Sequence, residues 1–572
     1  MRSDSQVQGA IAVTQVLADF QVSSLFALGG AAHSHLLAAL EDAGVSIIST
    51  RHETGTVGAA DGYARVSGRL GVALIIADQG LPNAITGIAT AFHAGSPVLV
   101  LVARSPDSWS ESQAEFDDDR QSLVTSISKW ARTVPAPDRL AEYVAVGARQ
   151  ALGGRPGPAV LMIPQDFFTA KVARPPVCPP APASPGPVQA SVTALGDLLA
   201  ASKRPLFIAG AGAVHGQAAV PLRELSHRHG VPVVGNGLGR GVVAEDHELG
   251  FSWPYAQIAA NQADTVVLVG ARLRQRLGFG LPPRFNAQAR FAQIDLVAEE
   301  FHRNRHIDVP VVADAGLAIH ALLDDLDGRK LNFEKGWLGE ALQARDAQVA
   351  AVASKAPAEP VHPLALASLL QQHRPEDGVY VGDGANIQNF MYSGIRITRA
   401  GGFLDHYPLG SMGIGLPLAL GAAVAERDLA AAQGVQAKPL LLVTGDGSLG
   451  FYMAELASFV QAQLPVVVVV GNDAAWGTER HGQLKSLKRT VNTDLGEQAF
   501  DRVAAGLGFA GQRIDSLAGF EVALAAAFNS QGQTLFDVIL DRDAGALTKS
   551  DPLIGMIMFN DLQTGREIQR RQ

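Results

Sequence analysis

One stretch, residues 444–477, limits the fold of this chain more than any other. An apolar strand is predicted over Pro439–Thr444 and a helix over Tyr452–Gln463, and a strand of consecutive valines follows. A Gly-Asp-Gly-Ser turn ends the first strand, and a Gly-Asn-Asp turn ends the second. A right-handed crossover between parallel strands places both turns at the same carboxyl edge of a sheet. The sequence therefore predicts that Asp446 and Asp473 lie close together.

The two turns have the composition of a site for a metal-bound diphosphate. A carboxylate flanked by glycines, the hydroxyl of Ser448 and free backbone N–H groups at a helix start suit a hard cation that carries a diphosphate. On its own, Gly-Asp-Gly-Ser indicates no more than an ordinary strand–helix–strand unit with polar turns. The second polar turn, at the matching distance, favours the cofactor site.

Apolar strands alternate with helices along most of the chain. Hydrophobic residues make up 47% of the sequence and charged residues 18%, which is enough material for several buried parallel sheets. We predict an α/β protein with three doubly wound parallel-sheet domains. The predicted domains are residues 1–173, 191–345 and 362–543. They are joined by a Pro-rich linker, 174–190, and a second linker, 346–361. The C-terminal tail, 544–572, is expected to pack on a neighbouring surface or to close the active site as a lid.

The charge and composition argue against several classes of partner. The net charge of -9 and the lack of a basic block argue against nucleic acid, and no apolar run approaches the length of a membrane span. The single cysteine, Cys178, excludes internal disulfides and fits a reducing cytoplasm. We expect a soluble, cytoplasmic protein that acts on a small molecule.

The spacing of the two turns resembles the cofactor motif of thiamine diphosphate (ThDP) enzymes, which begins with Gly-Asp-Gly and ends in Asn-Asn or a variant. The resemblance implies that Asp446 and Asp473 are side-chain ligands of Mg²⁺ and that the carbonyl of Ala475 is a third protein ligand. Asp473 stands where the family usually has Asn, which keeps an oxygen ligand but adds negative charge beside a diphosphate. The further cofactor contacts implied here are Gly445, Gly447, Ser448, Trp476 and Gly477.

A second group of residues belongs to the first domain. By itself the run Arg51–Glu53 is typical of a surface turn. The resemblance implies that Glu53 hydrogen-bonds N1′ of the cofactor pyrimidine and so promotes loss of the thiazolium C2 proton. It also places Gly80 and Asn83 beside the cofactor. In this family the first and third domains of one site come from different subunits, so the resemblance implies a homodimer at least, and we expect a homotetramer.

Two further motifs complete the implied cofactor site. In the stretch LGSMG, a methionine between glycines can serve packing alone. The resemblance implies that Met412 wedges under the cofactor and bends it, while the Gly410 carbonyl and the Met412 N–H hold the pyrimidine edge, with Ser411 between them. In the loop Gly382–Asn386, backbone N–H groups are expected to meet the diphosphate, through Gly384, Ala385 and Asn386.

The resemblance leaves the substrate open. Several motifs look closest to benzaldehyde lyase and the acetolactate synthase group, whereas the stretch GARLRQRLGFGLPPRF resembles 2-hydroxyacyl-CoA lyase and oxalyl-CoA decarboxylase. The main prediction is a ThDP- and Mg²⁺-dependent carbon–carbon lyase or carboligase that acts on 2-hydroxy ketones or 2-oxo acids through an ylide and an enamine. The alternatives are an enzyme of acyl-CoA substrates, an acetolactate synthase and an inactive regulatory paralogue.

Three side chains are candidates for moving protons on the substrate. His406 matches an active-site histidine of benzaldehyde lyase, and Gln388 replaces a tyrosine of that lyase, which makes the predicted pocket more polar. Glu479 is either a proton shuttle or an exposed glutamate at a helix start. His33, His35 and His481 are predicted to be packing or surface residues.

The middle domain is a candidate for a second ligand. Arg272, Arg274, Arg276 and Arg284 follow a predicted strand, where they would hold a nucleotide or coenzyme A phosphate or would form a solvated face. The turn Gly210–Ala213 is a weak dinucleotide signal. FAD, coenzyme A and ADP are therefore candidate ligands of the middle domain, but no sequence motif supports any of them.

Overall fold

The computed structural model describes residues 6–115, 121–177, 184–353 and 359–550. Cys178 and the apolar run 553–559 of the tail lie outside these ranges, so the lid stays a prediction. In the described part of the chain, no helix combines the length and the apolar character needed to cross a membrane.

The first domain contains a six-stranded parallel sheet with the strand order β3-β2-β4-β5-β7-β6. Its strands are β1 (Gln6–Gln8), β2 (Ser24–Ala27), β3 (Ser46–Ser49), β4 (Gly71–Ile76), β5 (Val98–Arg104), β6 (Trp130–Thr133), β7 (Ala159–Pro164) and β8 (Lys171–Ala173), of which β1 and β8 form a separate antiparallel pair. Its helices are α1 (Gly9–Asp19), α2 (Ser34–Asp42), α3 (Glu53–Ser67), α4 (Gly80–Ala94), α5 (Gln121–Val124) and α6 (Leu140–Leu152).

The middle domain has a second six-stranded parallel sheet, in the order β11-β10-β9-β12-β13-β14. The strands are β9 (Pro205–Ala209), β10 (Val233–Gly235), β11 (Gly250–Phe251), β12 (Thr265–Val269), β13 (Arg290–Asp295) and β14 (Val309–Val312). The helices are α7 (Gln189–Ala200), α8 (Ala211–His215), α9 (Ala219–His229), α10 (Trp253–Gln262) and α11 (Ala315–Leu326), and α12 (Gly339–Ala353) follows the domain.

The third domain repeats the strand arrangement of the first, in the order β16-β15-β17-β18-β20-β19. The strands are β15 (Tyr380–Gly382), β16 (Phe403–Asp405), β17 (Leu440–Gly445), β18 (Val466–Asn472), β19 (Ala510–Ile514) and β20 (Gln533–Ile539). The helices are α13 (Pro363–His373), α14 (Asn386–Gly394), α15 (Gly415–Gln433), α16 (Asp446–Tyr452), α17 (Leu456–Gln461), α18 (Gly477–Leu487), α19 (Phe500–Gly506) and α20 (Phe520–Asn529).

These three sheets confirm the predicted fold class. The central strands are continuous apolar runs because helices cover both faces of each sheet; all residues of β18, for example, are buried. The three sheets fall inside the three predicted domain ranges.

The helix after β17 begins earlier than the sequence predicted. It was expected from Tyr452, but α16 already begins at Asp446, and a single 3₁₀ turn at Met453–Glu455 joins it to α17. The two glycines after Asp446 are poor helix formers and concealed this start. The Asp446 carboxylate accepts a hydrogen bond from the Gly447 N–H (2.8 Å), which stabilises the first turn.

The first and third domains meet where α3 crosses α15. A Cβ on Gly62 would lie 2.1 Å from the Leu418 carbonyl oxygen, and a Cβ on Gly421 would lie 1.7 Å from that of Ala59. Glycine is therefore required at both positions for the helix backbones to approach so closely. This contact fixes helix α3, and with it Glu53, against the third domain of the same chain.

Candidate active site at the edge of the third sheet

A cavity of about 150 Å³ lies at the carboxyl edge of the third sheet. Gly445 at the end of β17 pairs with Gly471 near the end of β18, so the residues that follow each strand come together. The predicted convergence of Asp446 and Asp473 is confirmed, because both line this cavity. The other predicted site residues that line it are Gly384, Ala385, Asn386, Met412, Gly445, Gly447, Ser448, Ala475, Trp476, Gly477 and Glu479.

Two buried carboxylates stand at the centre of the cavity wall. Burial, together with the negative charge of Asp473, raises the pKa of Asp446 to about 7. Burial also raises the pKa of Asp473, although the Asn386 side-chain amide donates to its Oδ2 (2.9 Å). The Ala475 N–H donates to Asp446 Oδ2 (3.1 Å) and brings the next backbone segment to the same place. Paired buried carboxylates of this kind suit a hard divalent cation.

The part of the chain that the structure describes has no cluster of three or more His, Cys, Asp or Glu side chains that could hold a metal ion. A cation bound by Asp446 and Asp473 would therefore need oxygen ligands from the backbone and from a bound ligand.

The remainder of the wall favours an anion. Helices α14 and α18 begin at Asn386 and Gly477, and both residues line the cavity, so two helix N-termini with their free N–H groups face it. The buried Thr478 hydroxyl, which can donate to an anion, has no hydrogen-bond partner among the described residues, and Thr478 also lines the cavity. The buried Asn386 Oδ1 likewise has no partner there, but as an acceptor it suits a cation or an N–H donor. A cation site beside an anion site fits a metal-bound diphosphate.

Glycines let the loops of the site approach one another. A Cβ on Gly447 would lie 2.4 Å from the Trp476 ring, and one on Gly477 would lie 2.2 Å from Asp473 Oδ2. Gly384 has φ +88°, a conformation that side chains disfavour. The predicted small residues are thus required by packing within the site itself.

The Met412 loop is tied to the rest of the site by a carboxylate that the sequence did not single out. Asp383 is buried and accepts hydrogen bonds from the N–H groups of Gly384 (2.7 Å), Gly413 (3.2 Å) and Gly415 (3.1 Å). It therefore joins the loop before α14 to the loop that carries Met412. The motif Gly-Asp-Gly-Ala-Asn contained this residue, but only the folded chain shows what the carboxylate binds. Gly410 and Ser411 precede Met412 on this loop and do not line the cavity.

Two of the proposed proton-transfer residues lie behind the cavity wall. The Gln388 amide is fully engaged, because it accepts from the Tyr380 hydroxyl (2.7 Å) and donates to the carbonyls of Asp383 (3.0 Å) and Val443 (2.8 Å). This corrects the expectation that Gln388 adds polarity to a substrate pocket, since its hydrogen bonds hold the loop from within. His406 is also buried, with Nδ1 3.6 Å from Asp383 Oδ1, and burial lowers its pKa.

Glu479 has the opposite environment. It is exposed in the first turn of α18, at the cavity. Burial lowers the pKa of the neighbouring Lys549, and the negative charge of Glu479 opposes this lowering. Both interpretations of Glu479 are compatible with this position. His33 and His481 are buried and His35 is exposed; that none of the three is catalytic stays a prediction.

Glu53 lies in a separate group within the first domain. It is the first residue of α3 and only 5% exposed, and its Oε2 accepts from the Asn83 side chain (3.1 Å). Gly80 packs beside it, since a Cβ there would lie 3.4 Å from Glu53 Oε1. None of these three residues lines the cavity of the same chain. The two predicted halves of the site are therefore separate within one chain: the Glu53 group lies in the first domain, and the Asp446 group lines the cavity of the third domain.

Three of the four middle-domain arginines bind other side chains. Arg272 pairs with Asp295 (3.2 Å) and Glu300 (3.1 Å), and Arg276 pairs with Asp405 of the third domain (3.1 Å) and stacks on Tyr407. Arg284 bonds the Gln257 side chain. For these three residues the contacts argue against the solvated-face alternative, and the ligand alternative stays a prediction.

The sequence matches three protein-family models. They are described as the N-terminal TPP binding domain (residues 7–123), the central domain (residues 192–322) and the C-terminal TPP binding domain (residues 383–538) of thiamine pyrophosphate enzymes. Thiamine pyrophosphate is another name for ThDP.

Characterised proteins of similar sequence carry out different reactions. Mouse 2-hydroxyacyl-CoA lyase 1 is 29% identical over 82% of each chain. Sulfoacetaldehyde acetyltransferase of Castellaniella defragrans is 28% identical over 93% of each chain. Acetolactate synthase of Arthrospira platensis is 28% identical over 94% of this chain and 95% of the relative.

Proposed function

Because this chain belongs to the thiamine pyrophosphate enzymes, we propose that it is a ThDP- and Mg²⁺-dependent carbon–carbon lyase or carboligase of small 2-hydroxy ketones or 2-oxo acids. The observation that carries the proposal is the cavity in which two buried carboxylates meet two helix N-termini. The intact Glu53, Met412 and Asp446 argue against an inactive paralogue.

The residues present fit the cofactor. Asp446, Asp473 and the Ala475 carbonyl would hold Mg²⁺, and the starts of α14 and α18 would hold the diphosphate. When bound, ThDP supplies a thiazolium carbon that, once deprotonated, adds to a carbonyl and takes up the electron pair of the neighbouring carbon–carbon bond as it breaks. Met412 lines the cavity, where it would support the cofactor from below.

Glu53 would share a proton with N1′ of the pyrimidine. Its Oε2 is already bonded to Asn83, so Oε1 is the atom left for this contact. Burial removes competing water and holds the carboxyl group in one orientation. Since the Glu53 group does not line its own chain's cavity, the proposed enzyme is a homodimer at least, with a homotetramer expected. A cytoplasmic location stays a proposal.

The decisive experiment is Glu53→Gln. The variant should bind ThDP and Mg²⁺ nearly as well as the wild type, measured by titration calorimetry, and should lose turnover in a screen with pyruvate, benzoin, acetoin and 2-hydroxyacyl-CoA. Glu142→Gln, in an exposed ion pair on α6, is the matched control and should keep wild-type activity. Wild-type turnover in Glu53→Gln would refute the proposed mechanism.

A second candidate, an enzyme of acyl-CoA substrates, is favoured by a group of arginines beside the middle sheet. Arg272 and Arg274 follow β12, next to β9, where the order of the middle sheet reverses, and ligands of such sheets bind at this switch point. Burial and the charges of these two arginines lower the pKa of Arg155, from the first domain, to about 10. Three guanidinium groups that repel one another would be stabilised by phosphate groups.

Ligand protection tests this second candidate. Coenzyme A or ADP at millimolar concentration should raise the unfolding temperature of the wild type, and Arg274→Gln should weaken the shift. Glu142→Gln again serves as the control. No shift at millimolar ligand would count against the candidate, and a yellow purified protein would identify a bound flavin instead.

A further inference from the structure

The helical segment that starts at Asp446 leads directly to the loop that precedes Glu53 and helix α3. At the end of α16 the Tyr452 ring packs edge-on against the His52 ring, with the centroids 5.3 Å apart. The 3₁₀ turn that follows ends at Glu455, which is fully buried. A single segment of the third domain therefore contacts both the cavity and the first domain.

Glu455 binds the backbone just before Glu53. Its Oε1 accepts hydrogen bonds from the N–H groups of Arg51 (2.9 Å) and His52 (3.1 Å), and its Oε2 accepts one from the Ser458 hydroxyl (2.8 Å). A buried carboxylate is tolerated only when it is paired in this way. Both bonds to Oε1 cross from the third domain to the first, so they fix the loop from which Glu53 projects.

Two neighbouring features support this clamp. A Cβ on Gly55 would lie 2.0 Å from Glu455 Oε1, so the first turn of α3 leaves room for the carboxylate only because this residue is glycine. The Arg51 guanidinium also donates to Gln461 Oε1 (2.8 Å) on α17. The loop is thus held by its backbone and by a side chain at the same time.

We propose that Glu455 is the positioning residue of Glu53, an inference that rests on the proposed function. Asn83 fixes the Glu53 carboxyl group from the side, and Glu455 fixes the backbone beneath it. Together they would aim the carboxyl group at the pyrimidine of the cofactor held in a partner's cavity. The segment that presents the metal ligand Asp446 of one site would then also hold the base of the other site.

A merely structural clamp between two domains makes different predictions. It would lower stability when removed but would leave proton removal from bound cofactor intact. If Glu455 positions Glu53, loss of Glu455 should leave cofactor binding intact, because Asp446 and Asp473 are unchanged. The C2 proton of the bound cofactor should then be removed more slowly.

Two variants and one control separate these roles in the full-length protein. Glu455→Gln replaces one acceptor oxygen by an amide, and Gly55→Ala displaces the carboxylate from the other side, where the flexible end of the side chain can yield. Glu245→Gln is the control, since Glu245 is an equally buried glutamate, paired with Arg240 at the junction of the middle and third domains.

The first measurement needs no cofactor. Amide hydrogen exchange of a peptide covering 46–57 in the cofactor-free protein should speed up in Glu455→Gln and in Gly55→Ala, but not in Glu245→Gln. Unchanged protection of this peptide would refute the clamp whether or not the protein binds ThDP. Failure of the wild type to bind ThDP would refute the proposed function instead.

The second measurement uses the holoenzyme. The dissociation constants of ThDP and Mg²⁺ should stay close to those of the wild type in both variants. Exchange of the cofactor C2 proton with deuterium should slow about 100-fold, the typical cost of a misplacement of roughly 1 Å. Glu53→Gln/Glu455→Gln should be no slower than Glu53→Gln alone, because the two residues act as one unit.

Two results would overturn the positioning role. One is wild-type C2 exchange in a variant whose 46–57 peptide has lost protection. The other is a double variant whose defect equals the product of the single defects. If Glu455→Gln does not fold, Gly55→Ala decides between the roles with the same measurements.

Discussion

The crossing of α3 and α15 offers a sharp test of how the first domain is held. Gly421→Ala would place a Cβ 1.7 Å from the Ala59 carbonyl oxygen and 2.7 Å from the Tyr63 backbone nitrogen. Both of these atoms belong to the backbone of α3, so neither can turn aside as a flexible side chain would. The helices must therefore separate, and the contacts that neighbouring side chains make across the crossing are lost.

The magnitude follows from two opposing effects. Overpacking a close contact costs about 3 kcal/mol at the upper end of the usual range. We use this upper value because the new Cβ meets rigid backbone atoms rather than a flexible side chain. Alanine gains about 1 kcal/mol over glycine inside a helix, which leaves a net loss of about 2 kcal/mol. Gly482→Ala on α18 has no atom within 4 Å of the new Cβ, so it should gain about 1 kcal/mol and is the matched control.

Urea unfolding followed by fluorescence and circular dichroism measures both variants. The midpoint for the first and third domains should fall in Gly421→Ala and rise slightly in Gly482→Ala, and the two probes show whether the domains unfold together. Cofactor binding in Gly421→Ala should change less than turnover, since Glu53 sits on the displaced helix. Equal midpoints for the two variants would refute the close approach of α3 and α15.

Two further predictions concern single charges. Asp473→Asn should keep or strengthen Mg²⁺ binding, because it removes the negative charge that helps raise the pKa of Asp446. Asn386 can turn its side-chain amide and accept a hydrogen bond from the new NH₂ group. A large loss of affinity in a Mg²⁺ titration would contradict the assigned metal ligands. Burial lowers the pKa of His33 from 6.5 to about 4, so the unfolded chain binds an extra proton between these values and stability should fall as the pH drops through that window. The loss for this residue is about 3 kcal/mol at most. His33→Gln should flatten the pH dependence of the urea midpoint, and an unchanged slope would show that His33 does not stay neutral in the folded protein.

Much of the third domain could be predicted because local pattern and topology agree there. Apolar runs define β17 and β18, and a right-handed crossover leaves one arrangement of the two turns. The convergence of Asp446 and Asp473 therefore follows from spacing alone. The strand order does not follow from the alternation of strands and helices, because the middle sheet arises from the same alternation and has a different order from the first and third sheets.

Side-chain contacts between distant segments could not be predicted in this way. Gln388 was placed in a pocket wall, yet its hydrogen bonds to Tyr380 and to two carbonyls turn it inward. Asp383 and Glu455 carry no motif signal for their distant partners, which are the N–H groups of Gly413 and Gly415 for Asp383 and those of Arg51 and His52 for Glu455. Backbone donors look alike in any sequence, and only folding selects which of them a buried carboxylate receives.

Neighbouring side chains offset the charge of Asp473, which stands where the family usually has asparagine. An extra negative charge beside a diphosphate is unfavourable unless the protein offsets it. Asn386 offsets it by donating to Oδ2, and the positive charge of Arg542 opposes the rise in the Asp473 pKa. Arg542 lies just past β20 and contacts the Ala474 carbonyl, so the C-terminal end of the third domain adjoins the proposed metal site. Asn386 and Arg542 therefore both offset the charge of Asp473. Removal of either side chain should weaken Mg²⁺ binding more in the wild-type background than in the Asp473→Asn background.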